Sequence, residues 1–509
     1  MRLADKLVLS AVVLASLLLF FATALSELDN YVKFLAIIGI MTLSGAYIKR
    51  VTGSWGRFGV VMLRGKNGLD LMKSLGDRYP EAFRKLADFG LTLCFGIPYG
   101  YYVFRKEPKK LLIHSLILAV FALGLHFTPL VTAVPWADEL VLGVVLLFGL
   151  AGIGLLSLFA SAISIFASKA AAPGVAPLVP GVTVPYEAAV AMVIILIVHE
   201  VAHGILARIE RVKVRSSGIV LWGVLPVGAF VEPDEKALGK ADLMKKRRVL
   251  IAGSASNFYF FLLFAVITLA FSLLAPLLAG GVAIASVQAG SPALGLLHSG
   301  EPVIAINGTL ISSASDVLPY YLAGGPVLID NGSATKLVQP SSLVVRDVEA
   351  PSFGILKQGD VLKTVDGEKV YSSDGLRAAL KGKEGVAIGL LRDGEAENVS
   401  VYLDNGGRLG ITVIQQPSFA VNTVAKPGLA WPFALYILLF SILTFTALLN
   451  FALAVVNVLP LFITDGHQIL QAELIEAFGK KRGIAVSLAV GAIALVLILI
   501  NLARWFKVL

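Results

Sequence analysis

The sequence is short of charge and almost without cysteine. Only 15% of its 509 residues are Asp, Glu, Lys or Arg, against about 25% in a soluble globular domain. With 57% hydrophobic residues and a mean hydropathy of +0.82, this scarcity excludes an ordinary soluble protein and indicates a polytopic membrane protein. The single cysteine, Cys94, excludes an internal disulfide scaffold and a cysteine-rich metal centre, and leaves the compartment open. The basic excess, +9 overall, is spread along the chain. It therefore gives no case for nucleic-acid binding, and basic stretches such as 49–87 and Lys245–Arg248 read as cytoplasmic loops.

What the chain has instead is long apolar runs. A run of about 18 apolar residues is enough to cross a bilayer. Candidate spans lie near 7–27, 31–48, 110–130, 139–168, 186–208, 249–278, 432–461 and 483–505. The stretch 88–104 is interrupted by Gly96, Pro98 and Gly100. The first run is long, lacks a small-x-small exit and is soon followed by another, so it reads as an anchor rather than a cleaved signal. Residues 1–180 carry no motif for chemistry, and His114 and His126 read as structural.

Residues 281–415 differ in character, with short apolar runs broken by Gly, Asp and Asn turns. This is a pattern of β-rich soluble structure. The region also repeats itself. "SPALGLLHSGEPVIAINGTLISSASDVLPYYL" (Ser291–Leu322) aligns with "APSFGILKQGDVLKTVDGEKVYSSDGLRAAL" (Ala350–Leu380). Each has a strand, an Asn-Gly or Asp-Gly turn, a second strand and a helix, and each resembles a protease-associated PDZ domain. The expected lobes are 281–339 and 340–415. All three N-x-S/T sequons, at Asn307, Asn331 and Asn398, fall here, which favours an extracytoplasmic location.

The chemistry concentrates in "VHEVAHGILARI" (Val198–Ile209), inside an apolar run. On a helix, His199 and His203 lie one turn apart on one face. Two imidazoles so placed reach one zinc ion, and Glu200 between them is positioned to act as general base. Zinc brings the pKa of a water it holds towards about 7. Each ionisable group in the middle of a spanning helix costs roughly 2.5–3.5 kcal/mol, so three such groups together call for a partner. A catalytic zinc also needs a third protein ligand. Glu210 is the local choice. A distant one is Asp465, in "LAVVNVLPLFITDGHQIL" (Leu453–Leu470), where an apolar segment breaks at Pro460 and Asp465-Gly466.

Taken together, these stretches resemble the site-2 proteases, zinc-dependent intramembrane metalloproteases. "HEVAH" matches the family's HExxH, "NVLPLFITDG" its N-x-x-P-x-x-x-x-D-G, and "AGSASNF" (Ala252–Phe258) its G-x-x-x-N. "LVPGVTVPY" and "LPVGAFVEPDE", either side of the HExxH segment, resemble the branch with the animal enzymes. The resemblance covers about 181–505. It implies a polytopic α-helical membrane protein with a three-helix metalloprotease core split between 181–280 and 430–509, a membrane-associated β-hairpin at Ser216–Glu235, and an inserted tandem PDZ-like region. It also implies one zinc ion held by His199, His203 and Asp465, with Glu200 catalytic. Asn257, Asn457, Gly253, Pro460 and Gly466 are expected around the substrate or oxyanion, with helix packing as the other reading of the amides and of Gly253. The implied partners are transmembrane protein substrates, the lipid bilayer and an upstream site-1-type protease. Thr464 and His467 depart from the family's usual Leu and Gly, and His467 is a second candidate ligand.

The basic exit Arg208–Arg215 places the zinc end of its helix towards the cytoplasm and the PDZ-like pair outside. The span count through residues 1–180 closes only if 88–104 crosses or one span re-enters. Other functions compatible with buried His and Asp are a zinc transporter or sensor, an inactive scaffold, or a zincin with a glutamate as third ligand.

Overall fold

The computed structural model describes residues 3–26, 30–65, 68–126, 137–167, 173–178, 183–288, 291–392, 394–404 and 406–505. The chain forms two compact units, one of residues 1–270 with 438–509 and one of residues 271–437. The first unit begins with two packed helices, α1 (Leu3–Leu25) and α2 (Asn30–Thr52). A strand pair follows, β1 (Trp55–Arg57) and β2 (Val60–Gly65), and then helices α3 (Leu69–Arg78), α4 (Pro80–Phe104), α5 (Pro108–His126) and α6 (Ala137–Ala167). Helix α4 covers the interrupted 88–104 stretch. It breaks at Gly96 (φ 84°), and α6 breaks at Gly149 (φ 60°). The breaks interlock: a Cβ on Gly96 would lie 2.3 Å from the Leu147 carbonyl oxygen, and one on Gly149 2.2 Å from that of Leu93. Glycine alone tolerates both the backbone and the approach.

Helix α7 (Ala188–Ile209) carries the HExxH segment. Strands β3 (Val214–Trp222) and β4 (Leu225–Pro233), helix α8 (Glu235–Lys240) and helix α9 (Leu243–Ser272) come next. The expected hairpin is present, but it is half of a larger sheet with strand order β1-β2-β3-β4. Strand β2 pairs with β3 from Val60–Trp222 to Gly65–Ser217. Residues 55–65, expected as part of a basic loop, therefore take up one edge of the hairpin and leave β4 as an edge strand. Arg64 on β2 reaches across β3 to Glu232 on β4 at 2.8 Å. The Ser216 hydroxyl and this guanidinium hold the Glu232 carboxyl below its ordinary pKa.

The second unit is β-rich, and the internal repeat is visible in it. One copy contains β5 (Ala279–Val287), β6 (Pro302–Val303), β7 (Ala305–Ile306), β8 (Thr309–Leu310), α10 (Leu318–Ala323), β9 (Val327–Asp330) and β10 (Thr335–Val338). The other contains β11 (Ser341–Val348), β12 (Val361–Val365), β13 (Glu368–Lys369), α11 (Ser373–Leu380), β14 (Gly385–Arg392), β15 (Glu395–Tyr402) and β16 (Ile411–Pro417). Between β7 and β8, Asn307 and Gly308 both have positive φ (51° and 78°), as do Asp366 and Gly367 (51° and 84°) between β12 and β13. That is the backbone a two-residue hairpin turn demands. Each copy has its own core, one around Val282, Ile284, Ile306 and Ile329, the other around Leu343, Leu362, Ile388 and Leu390. The first core also takes Phe419 from β17 (Phe419–Ala425), which pairs with β5. The second lobe is thus inserted within the first, and the first extends beyond the expected boundaries at 339 and 415.

The chain re-enters the first unit as α12 (Ala430–Val458), α13 (Asp465–Phe478) and α14 (Lys480–Trp505). Among the described residues, six helices are long and apolar enough to cross a membrane: α2, α6, α7, α9, α12 and α14. Eight candidate spans were expected. The apolar part of α1, Leu7–Thr23, is shorter than those six, and of the 110–130 run α5 takes residues up to His126. The protein is a multi-pass integral membrane protein. Its largest core joins Leu91, Leu118 and Leu150 of the N-terminal helices to Ile205, Ile251 and Ala454 of α7, α9 and α12.

Candidate metal centre

Helix α7 presents His199 and His203 on one face, and Asp465 stands at the first position of α13. The three ligand atoms form a near-equilateral triangle. The two Nε2 atoms are 3.2 Å apart, and Asp465 Oδ2 lies 3.2 Å from His199 Nε2 and 3.3 Å from His203 Nε2. Ligands about 2.0–2.1 Å from a tetrahedral zinc are separated by about 3.3–3.4 Å, so the triangle has the size of one face of a zinc coordination shell. Among the described residues this is the one group of His, Cys, Asp and Glu that close together.

The surrounding hydrogen bonds aim lone pairs into the triangle. His203 Nδ1 lies 2.7 Å from the Val249 carbonyl oxygen. A carbonyl can only accept, so Nδ1 carries the proton and Nε2 of the neutral ring is bare. His199 Nδ1 lies 3.1 Å from the side-chain amide of Asn257. With the amide rotated by half a turn, the Asn257 oxygen, buried and otherwise without a partner, accepts the His199 Nδ1–H. Both imidazoles then direct Nε2 lone pairs at a carboxylate oxygen that has no hydrogen-bond donor. Without a cation at its centre such a cluster is repulsive, and the donor set fits zinc.

Space for the centre comes from α9. A Cβ on Gly253 would lie 2.3 Å from His199 Cε1 and 2.5 Å from Nε2 of each histidine. Gly253 is therefore a packing requirement of the ligands. Asn257, one helical turn on, serves the outer nitrogen of His199 and faces away from the triangle. Asn457, in contrast, places its amide 3.1 Å from His199 Nε2, on the ligand side.

Asp465 is fixed by the turn between α12 and α13. Thr464 caps α13 by accepting from His467 N–H at 3.4 Å, and its hydroxyl reaches the Leu459 and Leu461 carbonyls at 2.5 and 2.8 Å. The helix N-terminus also favours a carboxylate at Asp465. A Cβ on Gly466 would lie 2.1 Å from the Val458 carbonyl oxygen, so the turn closes only with glycine there. The Pro460 carbonyl sits 3.1 Å from where a Cβ on Gly491 of α14 would be, so α14 approaches this turn closely at a glycine. His467 is buried against Phe462 and lies outside the triangle.

Glu200 Oε2 accepts the Val231 backbone N–H at 2.9 Å. This bond links the HExxH glutamate directly to strand β4. Glu210 is committed elsewhere, 3.0 Å from Arg84 and 3.4 Å from Arg248, and is not available as third ligand. Two contributions were missed by the reading of the sequence. One is Thr464, whose signal is a threonine just before a helix that opens with Asp-Gly. The other is the N-terminal region: a Cβ on Gly204 would lie 2.3 Å from Met72 Sδ, so α3 packs on α7 beside His203.

The profile of peptidase family M50 matches residues 187–500 of this chain. The chain is also 26% identical over 301 residues to the uncharacterized protein MJ0971 of Methanocaldococcus jannaschii, and the alignment covers 58% of each protein. The chain thus spans little more than half of that relative's length. The matched span contains α7, α9, α12, α13 and most of α14, and with them His199, His203 and Asp465.

Proposed function

Because the chain belongs to peptidase family M50, a family of membrane metalloproteases, we propose that it is a zinc-dependent endopeptidase of the site-2 type, hydrolysing peptide bonds in or near the transmembrane segments of other membrane proteins. The observation that carries this reading is the His199–His203–Asp465 triangle with Glu200 beside it, joined by a hydrogen bond to strand β4. Zinc, when bound, supplies Lewis acidity and lowers the pKa of the attacking water. Glu200 takes up the proton of that water at a carboxylate oxygen and passes it to the leaving amine. Asn257 and the Val249 carbonyl hold the two imidazoles in register, and Asn457 lies on the ligand side, within reach of a substrate carbonyl.

A peptide bond inside a transmembrane helix is hidden from attack, so the substrate must unwind. Strand β4 has β3 on one side and Glu200 on the other. A substrate strand added along β4 gains main-chain hydrogen bonds, and its scissile amide comes to lie against the base. The substrates we envisage are single-span membrane proteins, including ones already cut by a site-1-type protease. We read the two β-rich lobes as PDZ-like domains that filter substrates by size or hold a newly formed C-terminus. The basic exit of α7 supports a cytoplasmic metal end and extracytoplasmic lobes.

The test compares zinc content and cleavage of a model single-span substrate in wild type and Glu200→Gln. We expect zinc to be retained and cleavage to fall about 10³-fold, within the usual range for loss of a general base. Undiminished cleavage by the variant removes Glu200 from the reaction. Zinc flux across vesicles with no cleavage by either protein favours a transporter instead.

A further inference from the structure

A cavity of about 750 Å³ lies between α3 and the end of α7, on a side of α7 that the metal site does not use. Arg208, Arg211 and Lys213 line it together with Asp77, and Leu69 and Met72 supply an apolar floor. Asp77 pairs with Arg208 at 3.3 Å. Among the described residues, neither Arg211 nor Lys213 has a hydrogen-bond or ion-pair partner for its side chain. Three cations thus share one acid.

Helix α7 ends with Val212 N–H on the Ala207 carbonyl and Arg211 N–H on that of Arg208. Arg211 occupies the left-handed position of this cap, at φ 63°. Glycine takes that conformation freely, and an arginine takes it at a cost. Arg211 thus stands where the backbone favours glycine, and it lines the cavity.

Helix α7 is a 22-residue apolar helix long enough to span the bilayer, and Arg208 is in its last turn. The cavity is therefore at the depth where lipid headgroups lie. Cations at the mouth and apolar side chains at the floor match a ligand with an anionic head and a hydrocarbon tail. We infer that this cavity is a binding site for an anionic phospholipid. Arg211 and Lys213 hold the phosphate, Arg208 assists, and an acyl chain lies on Leu69 and Met72. A soluble phosphate would use the same cations and leave the apolar floor bare.

The test is native mass spectrometry of the full-length protein, titrated with phosphatidylglycerol and with phosphatidylcholine of the same chains. Each cation beside an anionic headgroup is worth about fivefold in binding. Arg211→Gln with Lys213→Gln should weaken phosphatidylglycerol about 25-fold and leave phosphatidylcholine unchanged. Lys236→Gln with Lys240→Gln, which removes two exposed charges elsewhere in the unit, should change either lipid by less than about twofold. Asp77→Asn frees Arg208 and should tighten phosphatidylglycerol, a gain that a misfolded variant cannot mimic. The site is overturned if the Arg211/Lys213 pair binds like wild type, if the control pair weakens equally, or if Asp77→Asn fails to tighten. Inorganic phosphate binding as tightly as the lipid overturns the lipid in favour of a soluble anion.

Discussion

Two buried polar clusters lie on helix α7 about two turns apart, and they are balanced in opposite ways. Around Glu210, every acid has its cation: Glu210 meets Arg84 and Arg248, and Asp88 meets Arg248 at 2.7 Å and Lys110 at 3.0 Å. Around His203, bare imidazole nitrogens face the Asp465 carboxylate, and no lysine or arginine is within ion-pair distance among the described residues. The first cluster is complete as protein. The second offers two imidazoles and a carboxylate to a metal ion. Buried acids here are sorted by their partners: the one already neutralised by arginine is structural, and the one left to histidines is free to take a metal ion.

Asp465→Ala should abolish zinc binding and bring cleavage to background. Glu210→Gln should leave one zinc per chain, measured by elemental analysis, while lowering Tm. Removing one partner of a buried ion pair costs about 3–5 kcal/mol, so the loss of stability should be large. If Glu210→Gln loses zinc while Asp465→Ala keeps it, the assignment of the third ligand is reversed.

A smaller effect separates the two amides. Asn257→Leu removes the acceptor from His199 Nδ1 and should weaken zinc about 10–100-fold, in line with loss of other outer partners of metal ligands. Asn457→Leu should leave zinc affinity nearly unchanged and lower the rate of cleavage. Equal zinc loss in both variants would make the two amides equivalent supports of the centre.

The sequence showed the parts of this site whose geometry is local. His199 and His203 are four residues apart on one helix with Glu200 beside the first, and helical periodicity alone brings the two imidazoles together. Asp465 could be named from the break in its apolar segment and from resemblance, but its distance to the histidines could not be read, because its approach depends on where α12 breaks and how α13 turns back. The role of Asn257 was out of reach for a related reason. Which side of His199 it serves is set by the rotation of α9 about its axis, and a G-x-x-x-N spacing carries no such information. Strands β1 and β2 were lost in a stretch where Lys49, Arg50 and Arg64 suggested a basic loop, although their pairing with β3 is what leaves β4 as the edge beside Glu200. The lobes were legible from their repeated Asn-Gly and Asp-Gly turns. The return of β17 to β5 was not, since a strand that closes a domain more than a hundred residues after it opened leaves no local mark.

The smallest effect tests the turn that holds Asp465. Thr464 is 3% exposed, and its hydroxyl caps α13 while tying the turn to the Leu459 or Leu461 carbonyl. Thr464→Val keeps the shape and removes the hydroxyl, so it should cost about 1 kcal/mol as a lost N-cap, read as a lower Tm. If the cap also positions the ligand, zinc affinity falls along with stability, and Thr464→Ser, which keeps the hydroxyl, restores both. If Thr464→Val lowers Tm and leaves zinc affinity at the wild-type value, the close approach at Gly466 and the Val458 carbonyl is sufficient to place Asp465, and the threonine only stabilises the helix. On that outcome the His199–His203–Asp465 cluster resembles the Glu210 cluster more than its lack of lysine and arginine suggests, because its geometry would be fixed by the packed backbone before any ion arrives.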